Sequence, residues 1–120
     1  MSSGFFSDTI PYMSKANDPD FSKSISYKPR NDKEKFLIKI ILSLKDEKEA
    51  ANFLRDLMTL PEIEEFANRL ELARLLLKGG SYQKIAKQTG VSTTTVTRVA
   101  HWLFKGCGGY WSVLKKLTNK

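Results

Sequence analysis

The chain has 120 residues and one cysteine, which bounds it to a single domain with a modest core and excludes an intrachain disulfide, as suits a reducing cytoplasm. No apolar run approaches the roughly 20 residues of a membrane helix, and the N-terminus lacks the basic-then-apolar pattern of a secretory signal. The net charge is +7, but its distribution says more: Leu72 to Lys120 holds nine basic residues and no acidic one, whereas Met1 to Glu71 nets −2.

A polyanion is the partner this asymmetry implies, and the backbone of double-stranded DNA is the obvious one. The expectation is a soluble cytoplasmic protein, associated with the nucleoid and not with membrane. In chain order, residues 1–31 read as a disordered arm, broken by Pro11, Pro19 and Pro29 and nearly neutral in charge. Its aromatics (Phe5, Phe6, Tyr12, Phe21 and Tyr27) exceed what a solvating tail needs, so docking onto the body or a partner stays open.

The folded domain is expected over residues 32–120. Asp32 to Lys45 reads as a helix capped by Asn31 or Asp32, with a broad apolar stripe from Phe36, Leu37, Ile40, Ile41 and Leu44. Such width on a short helix suggests burial on more than one side, as an interface between two chains requires. Asp46 to Met58 reads as a second helix with Ala50, Phe53, Leu54 and Leu57 inward. Thr59 to Lys78 has the clearest start: Thr59 and Glu62 form a capping box, and Pro61 is tolerated in the first turn. Its inward face is expected to carry Ile63, Phe66, Ala67, Leu70, Ala73 and Leu77. Gly79-Gly80 ends it.

Ser81 to Lys105 carries the strongest signal. Ser81 can cap a helix over Tyr82 to Thr89, Gly90 can take the left-handed conformation, and Ser92 can cap a helix from about Thr93 to Lys105. Ala86 lets the two helices approach where they cross, while Ile85, Val91, Val96 and Val99 supply the apolar contacts. That order is a helix-turn-helix, whose second helix enters the DNA major groove. The alternative is a helical hairpin with a glycine turn, but that leaves unexplained why acids vanish where the motif begins. After Gly106-Cys107-Gly108-Gly109, Tyr110 to Leu117 can form a last short helix, expected to pack on the first two helices or on a second chain. The fold class is therefore all-α, with about six helices.

The motif also nominates the residues that would read DNA. Ser92, Thr93, Thr94 and Thr97 are short and polar at the start of the second helix, where threonine methyls can meet thymine. Arg98 can reach a guanine edge or a phosphate. His101 stands alone without metal-spaced partners, so a phosphate contact or a plain surface role fits it. Gln83, Lys84 and Lys87 are placed to touch the backbone, with Lys78 and Lys105 extending that contact. No paired carboxylates, phosphate loop or nucleophile triad appears; Cys107 lacks a catalytic partner. Neither an enzyme activity nor a cofactor or metal is expected.

The strings ILSLKD at Ile41 to Asp46, ANRLELARLLLKGGSYQKIAKQTGVS at Ala67 to Ser92, and TVTRVAHWL followed by GCGGY ending at Tyr110 resemble the Trp-repressor-like YerC/YecD family. The resemblance runs from about Asp32 to Leu117. It implies a six-helix Trp-repressor-like fold, an intertwined homodimer, and sequence-specific DNA binding as a transcriptional regulator, with repression of a pseudo-palindromic site expected. Comparison with the more distant Trp repressor puts its two tryptophan-holding arginines at Arg69 and Arg98, and a pocket-edge threonine at Thr59. Two positions depart: Val99 and Trp102 stand where that repressor has glycine and serine. The implied pocket of Thr59, Arg69, Arg98 and Trp102 is therefore expected not to take tryptophan, Trp102 itself filling part of it, and the small-molecule effector is unknown. Another small anion in that pocket, or an adaptor role in protein interaction, are the alternative readings. For Arg69 the plain reading is an exposed ion pair with Glu65 one turn earlier.

Overall fold

Each helix begins where a short polar side chain can satisfy amides that have no helical acceptor. The computed structural model describes residues 18–22 and 25–118, and among them six helices follow one another: α1 Asp32–Ser43, α2 Glu47–Leu57, α3 Leu60–Leu77, α4 Tyr82–Thr89, α5 Thr93–Lys105 and α6 Gly109–Thr118. The all-α expectation holds in order and number. The aromatics Phe5, Phe6 and Tyr12, and the disorder expected of residues 1–17, lie outside the described residues.

The caps account for the boundaries. Asn31 is extended, and its side chain accepts from the Glu34 N–H at 3.0 Å. Asp46, expected to be the first helical residue, is instead the cap of α2: its carboxylate accepts from the Glu49 N–H at 2.9 Å, while Glu49 accepts from the Lys45 N–H at 2.8 Å. That reciprocal pair is why the chain leaves helical geometry between Ser43 and Glu47. The predicted box at α3 is present, with Glu62 accepting from the Thr59 N–H at 2.9 Å and donating its own N–H to Thr59 Oγ1 at 3.2 Å. The Thr59 N–H first, and then the Thr59 hydroxyl at 3.1 Å, donate to the Glu62 carboxylate and hold it below its ordinary range. Gly79 ends α3 with φ +90°, the left-handed turn expected there.

The described residues fall into two compact units, one of residues 18–22 and 25–26 with 68–118, the other Tyr27–Ala67. The first holds every buried hydrophobic side chain among the described residues: Leu72, Ala73, Leu75 and Leu76 of α3, Ile85 and Ala86 of α4, Val96, Val99, Ala100 and Leu103 of α5, and Leu114 of α6. Two expectations are corrected here. Along α3, Ala73 is buried, Leu77 packs at the core edge and Ile63 is half-buried, but Phe66, Ala67 and Leu70, expected inward, are exposed, and the buried set is Leu72, Ala73, Leu75 and Leu76. The helix is apolar on more than one side, so its period alone did not single out the face that the core uses. The last helix, expected on the first two helices or a second chain, packs on α5 through Leu114 and Trp111.

The second unit buries no side chain fully. Ala50 and Phe53 of α2 are half-buried, whereas Leu54 and Leu57, expected inward, are exposed, as are Phe36, Leu37 and Ile41 of α1. Within a single chain two helices plus half of α3 offer too little depth to enclose such wide stripes.

In the first turn of α1, the Glu34 carboxylate gathers three donors from the preceding segment: the Tyr27 hydroxyl at 2.6 Å, the Arg30 N–H at 2.9 Å and the Arg30 guanidinium at 2.6 Å. The bonds from Arg30 lead in pulling the Glu34 carboxyl from its ordinary 4.5 down to about 2. Because the folded value lies below the ordinary one, the stabilisation is complete above about pH 4.5 and is lost as pH falls through about 2. A carboxyl titration followed by NMR should therefore place Glu34 near 2, and Arg30→Ala should return it toward 4.5. A Glu34 midpoint unmoved by Arg30→Ala would remove the guanidinium as the cause.

Candidate nucleic-acid interface

The two-helix unit is built on one close approach. Ile85 and Ala86 of α4 are buried against Val96 and Val99 of α5, with Val91 partly buried between them. Ala86 presents only a methyl at that crossing, so the second helix can come in close. Gly90 closes α4 in the left-handed region (φ 82°, ψ 7°), donating its N–H to the Ala86 carbonyl at 2.9 Å. A β-carbon there would meet no neighbour, so the demand for glycine comes from the backbone angle and not from space. Thr89 Oγ1 donates to the Ile85 carbonyl at 2.7 Å, satisfying one of the last acceptors of α4. Ser81 accepts from the Lys84 N–H at 3.1 Å, starting the helix where the sequence placed it.

With Val96, Val99, Ala100 and Leu103 buried, the opposite side of α5 faces solvent. Thr93, Thr94, Thr97, Arg98 and His101 come together there and line one shallow open groove of about 440 Å³. Helical spacing explains the set: the positions are one turn or one residue apart, so they share a face. Ser92 sits apart in role, because its hydroxyl accepts from the Thr95 N–H at 3.1 Å and lies 3.0 Å from Thr95 Oγ1. Its oxygen is engaged in capping. Gln83, Lys84 and Lys87 are exposed on α4, and Lys78 and Lys105 are exposed at either end of the two-helix unit.

The cationic tract is smaller than a residue count suggests. Arg74 forms a two-point ion pair with Glu71, 2.8 Å at each contact and partly buried. That arginine is matched by the last acid of the chain, a pairing that i,i+3 spacing makes available but that a charge tally hides.

The pocket residues implied by resemblance lie as follows. Arg69 is exposed on α3, and its charge reaches Tyr110, whose hydroxyl is pushed upward by burial and drawn partly back by Arg69. Arg98 belongs to the groove. Thr59 caps α3 in the other compact unit. Trp102 is 53% exposed, with its ring edge-on to His101 at 5.5 Å between centroids. Its carbonyl would stand 2.5 Å from a β-carbon at position 106, and its indole Cε3 2.8 Å, so the indole and the end of α5 close over Gly106 and admit no side chain there. Val99 is buried at 5% exposure as part of the α4–α5 contact, so its side chain belongs to the core. Among the described residues no group of three or more His, Cys, Asp or Glu could hold a metal ion, and no helix is long and apolar enough to cross a membrane.

Comparison with known proteins places this arrangement. A family model described as Trp repressor protein matches residues 32–118, leaving the arm outside. Protein YerC of Bacillus subtilis (strain 168) is 44% identical over 83 residues, which span 69% of this chain and 80% of that protein. Two crystal structures share the fold. A TrpR-like protein from Eubacterium eligens ATCC 27750 superposes with a TM-score of 0.70 at 38% identity, covering 75% of this chain and 93% of that one. A Staphylococcus aureus protein described as a candidate Trp repressor gives 0.69 at 31% identity, covering 76% and 91%.

Since its oxygen is engaged in capping, Ser92→Ala should lower the stability of the domain by about 1 kcal/mol. Urea denaturation of the two proteins side by side tests this, and an unchanged midpoint would mean the cap contributes nothing to the fold.

Proposed function

The chain belongs to the Trp repressor family, and from that premise we propose that it is a homodimeric, sequence-specific repressor that acts without tryptophan. The observation that carries the reading is the groove on the open side of α5. Five side chains suited to base edges and phosphates (Thr93, Thr94, Thr97, Arg98 and His101) share it, in a segment with no acidic residue after Glu71. Threonine methyls and hydroxyls match thymine methyls and base acceptors, and Arg98 matches guanine or phosphate. Gln83, Lys84 and Lys87 would hold the backbone and fix the register. Ser92 would act through its cap, setting where α5 begins.

A second copy is the partner that the other unit calls for. Phe36 is 65% exposed, Leu42 79% and Leu57 55%, on helices that bury nothing fully in a single chain. Apolar surface on that scale in a soluble domain marks an association face. Two reading helices related by a two-fold axis would then meet half-sites about one helical turn apart, on a pseudo-palindrome. The chemistry is binding only: repression follows from occupying the duplex, and no step needs a catalytic group.

Tryptophan independence rests on Val99 and Trp102. Val99 is committed to the α4–α5 core, and an indole occupies position 102. In calorimetry L-tryptophan should give no saturable heat, and DNA affinity should be the same with and without it. Tight binding with a parallel rise in DNA affinity would overturn this part.

For the interface, log affinity against log salt should fall by roughly 0.9 for each phosphate neutralised. Lys84→Ala and Lys87→Ala together should flatten that slope by about 1.8 if each touches one phosphate. Thr94→Ala or Thr97→Ala should instead alter base preference, by about 1–3 kcal/mol at the affected position. Selection from random duplexes checks the second point; an identical preferred site in the threonine variants would take them out of the reading set.

A further inference from the structure

We propose that Phe104, Gly108 and Trp111 form a socket on the α5–α6 elbow whose occupant is an aromatic side chain of the chain's own N-terminal arm, Phe21. The arm lies outside the family match over residues 32–118. Its residues 18–22 and 25–26 nevertheless belong to the same compact unit as α4, α5 and α6. Phe21 is half-buried between two exposed neighbours, Asp20 and Ser22. The Asp20 carboxylate accepts from the Ser22 N–H at 2.9 Å, which turns the chain at Phe21.

The socket has a floor and a wall. Gly108 has φ +88°, and a β-carbon on it would stand 3.4, 3.6 and 3.7 Å from three carbons of the Phe21 ring, so the phenyl group rests on bare glycine backbone. Trp111 stands 6.5 Å from Phe21 between ring centroids at 51°, and Phe104 continues the row 6.2 Å from Trp111 at 55°. Those separations and tilts are the range in which aromatic pairs attract. Phe104 and Trp111 in turn pack against the buried core.

The consequence falls on α6. Ten residues are too few to hold a helix without tertiary support, and among its described side chains only Leu114 is buried. Phe21 supplies a second anchor through Trp111, so the tightness with which α6 backs α5 depends on an element outside the family span. The notch needs a left-handed glycine and an aromatic wall together, and this fits an aromatic occupant of fixed length. This inference rests on the fold alone and stands or falls independently of DNA reading.

Amide hydrogen exchange of the full chain tests it, comparing the natural sequence with Phe21→Ala and Phe21→Tyr. In the alanine variant, protection of the α6 amides should fall roughly tenfold while α1 and α4 are unchanged, as expected when a partly buried ring leaves a locally opening helix. The tyrosine variant should match the natural chain. Fluorescence gives a second readout: in a Trp102→Phe background Trp111 is the sole indole, and Phe21→Ala should shift its emission to the red. Unchanged α6 protection in the alanine variant, protection lost equally from all helices, or emission that does not move would each overturn the proposal.

Discussion

The approach of α4 to α5 across the methyl of Ala86 is the contact on which the reading surface depends. Everything on the solvent side of α5 is oriented by what is buried beneath it: Val96 at 0% exposure, Leu103 at 0% and Val99 at 5% hold the helix against rotation about its axis. Rotation by a single residue, about 100°, would carry Thr94 and Thr97 out of the groove and bring a valine into it. The close crossing needs a small residue at 86, and the turn between the helices needs a left-handed residue at 90. Caps at Ser81 and Ser92 then set where each helix starts. A larger side chain at 86 would push α5 outward, and the groove geometry would change although none of its lining residues had been touched.

Charge and shape divide the work in the proposed complex. Long-range attraction would come from exposed Lys78, Lys84, Lys87 and Lys105, which are sequence-blind. Discrimination would come from the short side chains of the groove, where a hydroxyl or methyl must be placed to within a fraction of an ångström. The pairing of Arg74 with Glu71 belongs to neither role, since it neutralises a cation beside the core. The two halves of the chain also differ in what they complete. Residues 68–118 enclose their own core, whereas Tyr27–Ala67 leaves its apolar stripes open. In the proposed dimer, the uncovered half would set two copies of the self-sufficient half at a fixed separation.

Much of the architecture was legible from residues because caps and breakers act locally. Serine, threonine, aspartate and asparagine satisfy amides within three residues of themselves, so Ser81, Ser92, Thr59 and Asn31 revealed helix starts without any knowledge of packing. Glycine at 79 and 90 acts through a single backbone angle and was equally readable. Asp46 shows the limit of the same signal: in sequence, a carboxylate that caps a helix and one that opens its first turn look alike. The groove was legible too, because residues on one face of a helix follow from its period once the buried valines are identified.

What the sequence determined by itself was therefore the number and order of helices, the helix-turn-helix, the basic tract and the set of residues on its open face, since each arises from interactions spanning a few residues or one helical turn. Only the tertiary structure decided which side of α3 enters the core, that α6 lies on α5, and that Phe21 reaches Gly108 and Trp111. These join segments far apart in the chain, or choose between faces that are equally apolar. The free energy that selects among them comes from complementary shape across a packed contact, and shape of that kind has no periodic trace in the order of residues.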